Sequence, residues 1–222
     1  VPVKIEAGKV TETVPLINWQ EVEKNDFAIA EEVALKGNLE RRPDLVLYVN
    51  GIAVGVLELK NSRVSIGDGI RQLLSNQQKE FNEWFFTTVQ IVFAGNDSEG
   101  LQYGAIGTPE KYFLKWKEDE QDNTGLKLDK YLLKMCAKDR LIELMHDFVL
   151  FDGGVKKLPR VHQYFGVKSA QRHVRERQHG GRDVHEAGEL TPGRRDQPRG
   201  PDDQRHPSRR VVDEQTVRAF TV

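Results

Sequence analysis

Two carboxylates and a lysine, Asp44, Glu58 and Lys60, lie near the ends of two apolar runs. Neighbouring carboxylates repel each other, and each makes the other harder to ionise. A hard divalent cation relieves this repulsion, and Mg²⁺ takes one or two carboxylates together with waters and a phosphate oxygen. A lysine beside such a site could orient an attacking water or stabilise charge that develops on phosphorus. The alternative interpretation is a partly buried salt-bridge cluster of the same three residues.

Two predicted strands must position these groups. The runs Leu45–Val49 and Ile52–Leu57 flank Asn50-Gly51. Asn-Gly between two apolar runs is the strongest short-range signal for a β-hairpin, because both turn residues tolerate a positive φ. The second run is apolar on both faces, which is typical of a buried central strand.

The register of this hairpin brings the three groups to one end. A two-residue turn pairs residues whose numbers sum to 101, so we expect Asp44 opposite Leu57 and near Glu58 and Lys60. Strict alternation along the second strand puts Glu58 and Lys60 on a common face, which they share with Ile52, Val54 and Val56.

These residues carry a resemblance to a known family. Pro43-Asp44, thirteen intervening residues and then Glu58-Leu59-Lys60 resemble the PD-(D/E)xK nuclease signature. The wider resemblance is carried by four segments, which read in order LINWQEVEKNDFAIAEEVAL, RRPDLVLYVNGIAVGVLELKNS, GIRQLLSNQQKEF and QIVFAGNDSEGLQYG. They resemble the amino-terminal nuclease domain of the restriction (R) subunit of type I restriction–modification enzymes. The resemblance covers roughly residues 14–181.

The resemblance implies an α/β fold, a PD-(D/E)xK restriction-endonuclease-like core with a mixed central sheet flanked by helices. It also implies that Asp44 and Glu58 hold Mg²⁺, with Mn²⁺ as a substitute, and that Lys60 is the catalytic lysine. The expected reaction is hydrolysis of phosphodiester bonds in unmodified foreign double-stranded DNA. The expected partners are the modification and specificity subunits of a type I complex.

A helix is predicted from about Ser65 to Glu83, with Ser65 as the N-cap. Gln72, Asn76 and Lys79 lie on the side away from its apolar stripe. They either face water or line a DNA cleft, and the resemblance favours the cleft for Gln72, since it matches a glutamine implicated in the family. Many members carry a tyrosine four residues later, where this chain has Asn76, so a role for that tyrosine does not carry over.

The segment upstream of the hairpin contains candidates for a further metal ligand. The stretch Phe27–Leu35 fits either a strand or a helix. Glu31 or Glu32 is a candidate ligand, because an upstream Glu serves this purpose in relatives of the nuclease fold. A solvated surface carboxylate is the alternative interpretation of either residue.

The chain is predicted to contain a nuclease core over residues 14–118, preceded by a short segment, 1–13. Residues 119–155 form a helical extension, with amphipathic helices over 128–137 and 140–151. Residues 156–181 resemble the start of a linker towards a helicase-like motor, which this chain lacks.

Residues 182–222 form an atypical tail rich in Arg and Pro. It contains eight arginines and no lysine, whereas the preceding residues contain all 16 lysines. Its low apolar content predicts disorder. We hypothesise that the chain is out of frame beyond about Gly181.

Charge, cysteine content and the lack of a complete phosphate-loop motif limit the expected binding properties and location of the chain. The formal net charge is −1, so binding to nucleic acid would depend on local patches or metal ions. Cys136 is the single cysteine, which fits a reducing, cytoplasmic location, and no apolar run is long enough for a membrane helix. The spacing from Gly188 to Gly193 fits a phosphate-binding loop, but Arg194-Arg195 follows where Lys and Ser or Thr are required. ATP is therefore expected only in full-length family members.

Two other functions remain open. The first is a catalytically silent docking or DNA-binding module of the same complex, which divalent-metal binding would argue against. The second is a repair-type PD-(D/E)xK nuclease, which a preference for branched DNA would reveal.

Overall fold

A mixed six-stranded sheet is the centre of the computed structural model, which describes residues 2–3, 12–37, 39–119, 121 and 124–180. Two short strands, β1 (Pro2–Val3) and β2 (Glu12–Thr13), form a separate antiparallel pair. The sheet has the strand order β3-β4-β5-β6-β7-β8. Its strands are β3 (Phe27–Glu31), β4 (Leu45–Val49), β5 (Ile52–Leu59), β6 (Ile91–Asn96), β7 (Gly100–Gly104) and β8 (Leu114–Lys115).

All neighbouring strands of this sheet are antiparallel except β5 and β6, which are parallel. The parallel pair requires a crossover, and helix α1 (Ile66–Asn76) lies within it. The predicted α/β class with a mixed sheet flanked by helices is confirmed. The stretch from Phe27 is a strand rather than a helix.

The remaining helices follow the sheet. They are α2 (Lys127–Met135), α3 (Lys138–Glu143), a π-helical turn (Leu144–Phe148) and α4 (Val161–Gly180), with a hairpin of β9 (Leu150–Asp152) and β10 (Val155–Lys157) before α4. The chain divides into two compact units, the first running through Tyr164 and the second beginning at Phe165. In the part of the chain that the structure describes, no helix combines the length and apolar character needed to cross a membrane.

Apolar residues cover both faces of the sheet. On one face α1 packs over a buried cluster that includes Val46, Val56, Ile66, Ile70, Leu73 and Val92. On the other face α2, α3 and the π-helical turn pack over a cluster that includes Leu47, Val54, Phe93, Trp116, Met135 and Phe148. Because both faces are covered, β5 and β6 are apolar along most of their length.

Two predicted helices differ from the structure. Ser65 caps α1 as predicted, and its Oγ accepts a hydrogen bond from the Gly67 amide at 3.2 Å. However, α1 ends at Asn76 instead of Glu83, because the next four residues are polar and offer no apolar stripe to pack.

Thr108-Pro109-Glu110 has the sequence pattern of a helix start, which predicts a helix that continues to Glu118, and this prediction is also wrong. Only Glu110–Tyr112 forms a 3₁₀ turn, and the chain then pairs with β7 as β8. Trp116 is buried, whereas Tyr112 is exposed. The pairing with β7 outweighs the local helix signal. The tail, residues 182–222, lies outside the described residues.

Candidate active site

The β4–β5 hairpin contains a β-bulge that the sequence analysis did not include. Near the turn, Tyr48 pairs with Ala53, as the predicted register requires. Beyond the bulge, Leu45 pairs with Leu57, one residue away from the predicted register. The extra residue on β5 is Val54, since Leu47 is opposite Gly55.

This bulge decides which face carries Glu58. In the predicted register Asp44 would share a face with Leu57, and Glu58 would point to the other side of the sheet. The shift by one residue puts Asp44 and Glu58 on the same face, towards α1. The prediction that Glu58 shares a face with Val54 is therefore wrong: Val54 packs in the cluster below α2, while Val56 packs in the cluster below α1.

Glu58 is a fully buried carboxyl group, with 0% of its side chain exposed. Its Oε2 accepts a hydrogen bond from Gln72 Nε2 at 2.7 Å, and its Oε1 accepts one from Asn76 Nδ2 at 3.3 Å. Burial raises the pKa of Glu58 to about 8, with a further increase from the charge of Asp44 and a decrease from Lys60. Without a bound cation, this carboxyl group retains its proton around neutral pH.

Asp44 precedes β4 and is half-buried. Its Oδ2 accepts a hydrogen bond from the Leu59 amide at 2.6 Å, which fixes the carboxyl group against the end of β5. Its charge raises the pKa of the neighbouring Glu58 carboxyl group. The predicted convergence of two carboxyl groups at this end of the hairpin is thus present in the structure.

Lys60 lies on the same face as these carboxyl groups, with 19% of its side chain exposed. Its Nζ is 3.8 Å from Glu58 Oε2 and donates a hydrogen bond to Gln72 Oε1 at 2.8 Å. Its backbone amide bonds to the carbonyl of Gly95 on β6 at 2.9 Å. Gln72 therefore bridges the carboxyl group and the ammonium group, and holds both against α1.

Asn76 does not lie where the sequence analysis placed it. It is 1% exposed and lies beside Glu58, so its predicted position on the solvent side of the helix is wrong, while its contact with DNA stays a prediction. Among the described residues its Oδ1 has no hydrogen-bond partner. Helical spacing could have indicated this burial, since Asn76 is three residues after the buried Leu73.

The two other DNA-contact candidates are exposed. Gln72 presents an exposed side chain on α1, in spite of its two bonds to the site. Lys79 lies beyond the end of α1, so it does not share a helix face with Gln72. Contact of either residue with DNA stays a prediction.

The two upstream glutamates lie differently with respect to the carboxyl pair, and only Glu31 is on the opposite face of the sheet. Glu31 pairs with Leu45, whose side chain packs in the cluster below α2, so Glu31 lies on the opposite face from Glu58. Glu32 is exposed with a φ of 48°, and its backbone amide bonds to the carbonyl of Asp44 at 3.0 Å. Within the described ranges, no three His, Cys, Asp or Glu side chains form a group that could hold a metal.

The donor set itself fits a hard divalent cation. Two neighbouring carboxyl groups, one of them fully buried with a raised pKa, are unfavourable as a pair of anions. Oxygen ligands from carboxylates are those that Mg²⁺ and Mn²⁺ take. A cation bound between Asp44 and Glu58 would remove the repulsion and displace the proton of Glu58.

Comparison with known proteins places the chain in a family. Residues 1–111 match the family model described as "Type I restriction enzyme R protein N terminus". The chain belongs to this family. The resemblance carried by the four ordered segments is thus confirmed.

Curated relatives of this R protein N terminus are endonuclease subunits. A putative type I restriction enzyme MjaVIIIP endonuclease subunit of Methanocaldococcus jannaschii is 26% identical over 180 residues, which cover 75% of this chain and 17% of the relative. The type I restriction enzyme HindI endonuclease subunit of Haemophilus influenzae is 24% identical over 174 residues, which cover 72% of this chain and 16% of the relative. The chain therefore spans about one-sixth of the length of these relatives.

Proposed function

We propose that this chain is the Mg²⁺-dependent nuclease module of a type I restriction enzyme R subunit, with a PD-(D/E)xK core. The observation that carries the proposal is the placement of Asp44, Glu58 and Lys60 on one face at one end of the β4–β5 hairpin. The family and its endonuclease-subunit relatives support the same reaction class.

In this proposal Asp44 and Glu58 would hold the metal ion, with Mn²⁺ as a substitute. When bound, the ion would supply Lewis-acid chemistry, which stabilises the negative charge of a phosphodiester under attack. Glu58 is oriented for this role by the amides of Gln72 and Asn76, which reach one carboxyl oxygen each. Asp44 is held by the Leu59 amide.

Lys60 supplies the positive charge of the site. Its ammonium group, held by Gln72 Oε1, lies close enough to the carboxyl pair to orient a water or to stabilise charge on the phosphoryl oxygens. The bond to Gln72 reduces the number of positions that this long side chain samples, so less reorganisation is needed during the reaction.

The natural context of the reaction follows from the relatives. The proposed substrate is unmodified foreign double-stranded DNA, and the proposed partners are modification and specificity subunits.

The test is calorimetric titration of Mn²⁺ into wild-type chain, Asp44→Ala and Glu58→Ala, followed by cleavage assays on duplex DNA. We expect wild type to bind and both variants to lose binding. Glu40→Ala is the matched control, because Glu40 is an exposed carboxylate paired with Arg42. Unchanged binding in the two variants would overturn the proposed ligands.

The same assays separate the two other functions. Absence of both metal binding and cleavage in the wild-type chain would favour the silent docking or DNA-binding module. A marked preference for branched over linear DNA would favour a repair-type nuclease.

A further inference from the structure

We propose that Arg41 binds a phosphate group of the DNA backbone beside the candidate active site. DNA as the source of that phosphate rests on the proposed function, whereas the geometry around Arg41 does not. The residue lies in the segment between β3 and β4, three positions before Asp44, and its side chain is half-buried. We call Arg41 and the Phe81 ring on which it stacks the arginine site.

The guanidinium group of Arg41 has no anionic partner among the described residues. Its central carbon lies 3.9 Å from the centroid of the Phe81 ring, and its Nε is buried without a hydrogen-bond partner. Its side chain forms no ion pair or hydrogen bond within the described part of the chain. The neighbouring Arg42, by contrast, is exposed and pairs with Glu40, at 3.1 Å between Nη2 and Oε1. A half-buried guanidinium without acceptors is unfavourable, and a bound anion would supply them.

The backbone fixes the position of Arg41. Arg41 and Leu35 exchange two backbone hydrogen bonds, at 2.8 and 3.2 Å, as an isolated antiparallel bridge. The turn that they close packs tightly, since a Cβ at Gly37 would lie 2.5 Å from the carbonyl oxygen of Phe81. Asn82 Nδ2 also donates a hydrogen bond to the carbonyl of Leu35, at 3.3 Å. Because Arg41 is held in advance, less conformational freedom is lost when it binds an anion.

The ring on which Arg41 stacks belongs to the side of the sheet that carries the candidate active site. Phe81 lies between α1 and a 3₁₀ helix, Glu83–Thr87. Phe86 of this 3₁₀ helix is buried in the cluster below α1. Glu58 also points towards α1, where it bonds to the helix side chains. The arginine site and the carboxyl pair therefore lie on the same face.

Asn76 connects the two places. Its side chain donates a hydrogen bond to Glu58, and its carbonyl accepts one from the Asn82 amide at 3.2 Å. Three residues of extended chain span at most about 10 Å, which limits the distance between Arg41 and Asp44. One strand of a duplex carries a phosphate for each ~3.4 Å of helix axis. A strand cleaved at the carboxyl pair can therefore place a second phosphate, about three nucleotides away, at Arg41.

The chemistry of the arginine site suits a phosphate. A guanidinium is planar and donates two parallel hydrogen bonds to phosphate oxygens, and it can stack on an aromatic ring at the same time. The Phe81 ring covers one face of the plane. Only Nε is enclosed among the nitrogens of Arg41, so both Nη groups remain accessible to a ligand.

The first arm of the test measures binding of a short labelled duplex by fluorescence anisotropy, in EDTA so that no cleavage occurs. Wild type is compared with Arg41→Gln at salt concentrations from about 50 to 200 mM. Each phosphate contact contributes about 0.9 to the magnitude of the slope of log K against log salt, so we expect the slope to fall by this amount. Affinity at the lowest salt concentration should fall about tenfold, since charge-assisted hydrogen bonds are lost.

The matched control is Arg42→Gln, which removes the same charge one residue away, from an exposed side chain that pairs with Glu40. Its salt slope should equal that of wild type. Equal slopes for Arg41→Gln and Arg42→Gln would overturn the proposal. A purely structural role of the stacking on Phe81 would lower the free energy of unfolding, measured in urea, and leave the slope unchanged.

Arg41→Lys covers the case in which Arg41→Gln does not fold. It keeps the charge but loses the planar pair of donors. Weaker DNA binding at unchanged stability would support the arginine site, and wild-type affinity would overturn it.

The second arm titrates pyrophosphate calorimetrically into wild type and Arg41→Gln. Binding that is lost in the variant, together with an unchanged DNA slope, would overturn DNA as the source and assign the site to a free phosphate compound. No difference in either arm would overturn the whole proposal. Neither arm uses a metal ion, so a failed metal site at Asp44 and Glu58, which the Mn²⁺ titration detects, is distinguishable from a failed arginine site.

Discussion

The two ends of the β4–β5 hairpin hold polar side chains under different conditions. At the turn, Asn50 Oδ1 accepts a hydrogen bond from the Asp26 amide at 2.7 Å, and Nδ2 donates to Leu16 O and to Asn25 Oδ1, each at 2.9 Å. At the open end, Asp44 and Glu58 bring two carboxyl groups together, and burial raises the pKa of Glu58 to about 8.

The two ends of this one hairpin therefore differ in role: the turn stabilises the fold, and the open end carries the groups proposed to act in catalysis. At the turn, neutral amides satisfy one another and stabilise the fold. At the open end, groups of like charge are crowded in a buried position, where only a proton or a cation can stabilise them. Such crowding is destabilising by itself, and the proposed metal ion would relieve it.

The largest expected effect is on cleavage. Glu58→Gln and Asp44→Asn each remove a charged oxygen ligand while keeping the side-chain shape, and we expect DNA cleavage to fall by about 10³-fold or more. Rates on linear duplex DNA with Mg²⁺ measure the effect. Asn50→Asp, at the other end of the hairpin, is the control and should cleave at close to the wild-type rate. Equal losses in all three variants would mean that folding, not chemistry, is affected.

The second prediction concerns the stability of the metal-free protein against pH. The pKa of Glu58 is raised from 4.5 to about 8 on folding, so the folded state binds this proton more tightly. The resulting stabilisation is fully present below about pH 4.5 and is lost as pH rises through 8. The free energy of unfolding should fall by an amount on the order of 5 kcal/mol over this window.

Urea unfolding in EDTA, at several pH values, measures this slope. Glu58→Gln should lack it, and added Mn²⁺ should reduce it in wild type, because the cation replaces the proton. A slope that persists in Glu58→Gln would assign the pH dependence to other groups.

A smaller effect is expected at the turn. Asn50→Ala removes the side-chain bonds of Asn50 and puts a φ of 51° on a residue that disfavours it. The free energy of unfolding should fall by about 2 kcal/mol. Asn50→Gly keeps the conformational freedom but not the bonds, so the difference between the variants isolates the backbone term. A loss of Mn²⁺ affinity in Asn50→Ala would contradict the separation of the two ends.

The smallest effect on Mn²⁺ affinity is expected for the upstream glutamates, the candidates for a third metal ligand. Glu31 lies on the opposite face of the sheet from Glu58, so Glu31→Gln should leave Mn²⁺ affinity within about twofold of wild type. Glu32 is joined to Asp44 through its backbone, so Glu32→Gln is the more sensitive variant. Calorimetric titration of Mn²⁺ into both variants shows which of the two glutamates contributes to metal binding. A tenfold loss in Glu31→Gln would show that the strand face does not limit access to the metal.

The local sequence by itself determined the hairpin, the buried character of β5 and the presence of two carboxyl groups near its open end. The reason is that these features depend on short-range information: Asn50-Gly51 specifies the turn, and the apolar runs beside it specify strands. The capping of α1 by Ser65 is equally local. Family membership was also readable, since it rests on the order of residues and not on their contacts.

Only the tertiary structure decided that Asp44 and Glu58 share a face. A bulge at Val54 shifts the register by one residue, and its sole local signal is Gly55 in a strand interior. The contact of Asn76 with Glu58 also depends on how α1 docks on the sheet, although its helical spacing from Leu73 already indicates burial. Strand pairing and helix docking depend on residues far apart in the chain, so hydrophobic periodicity cannot specify them.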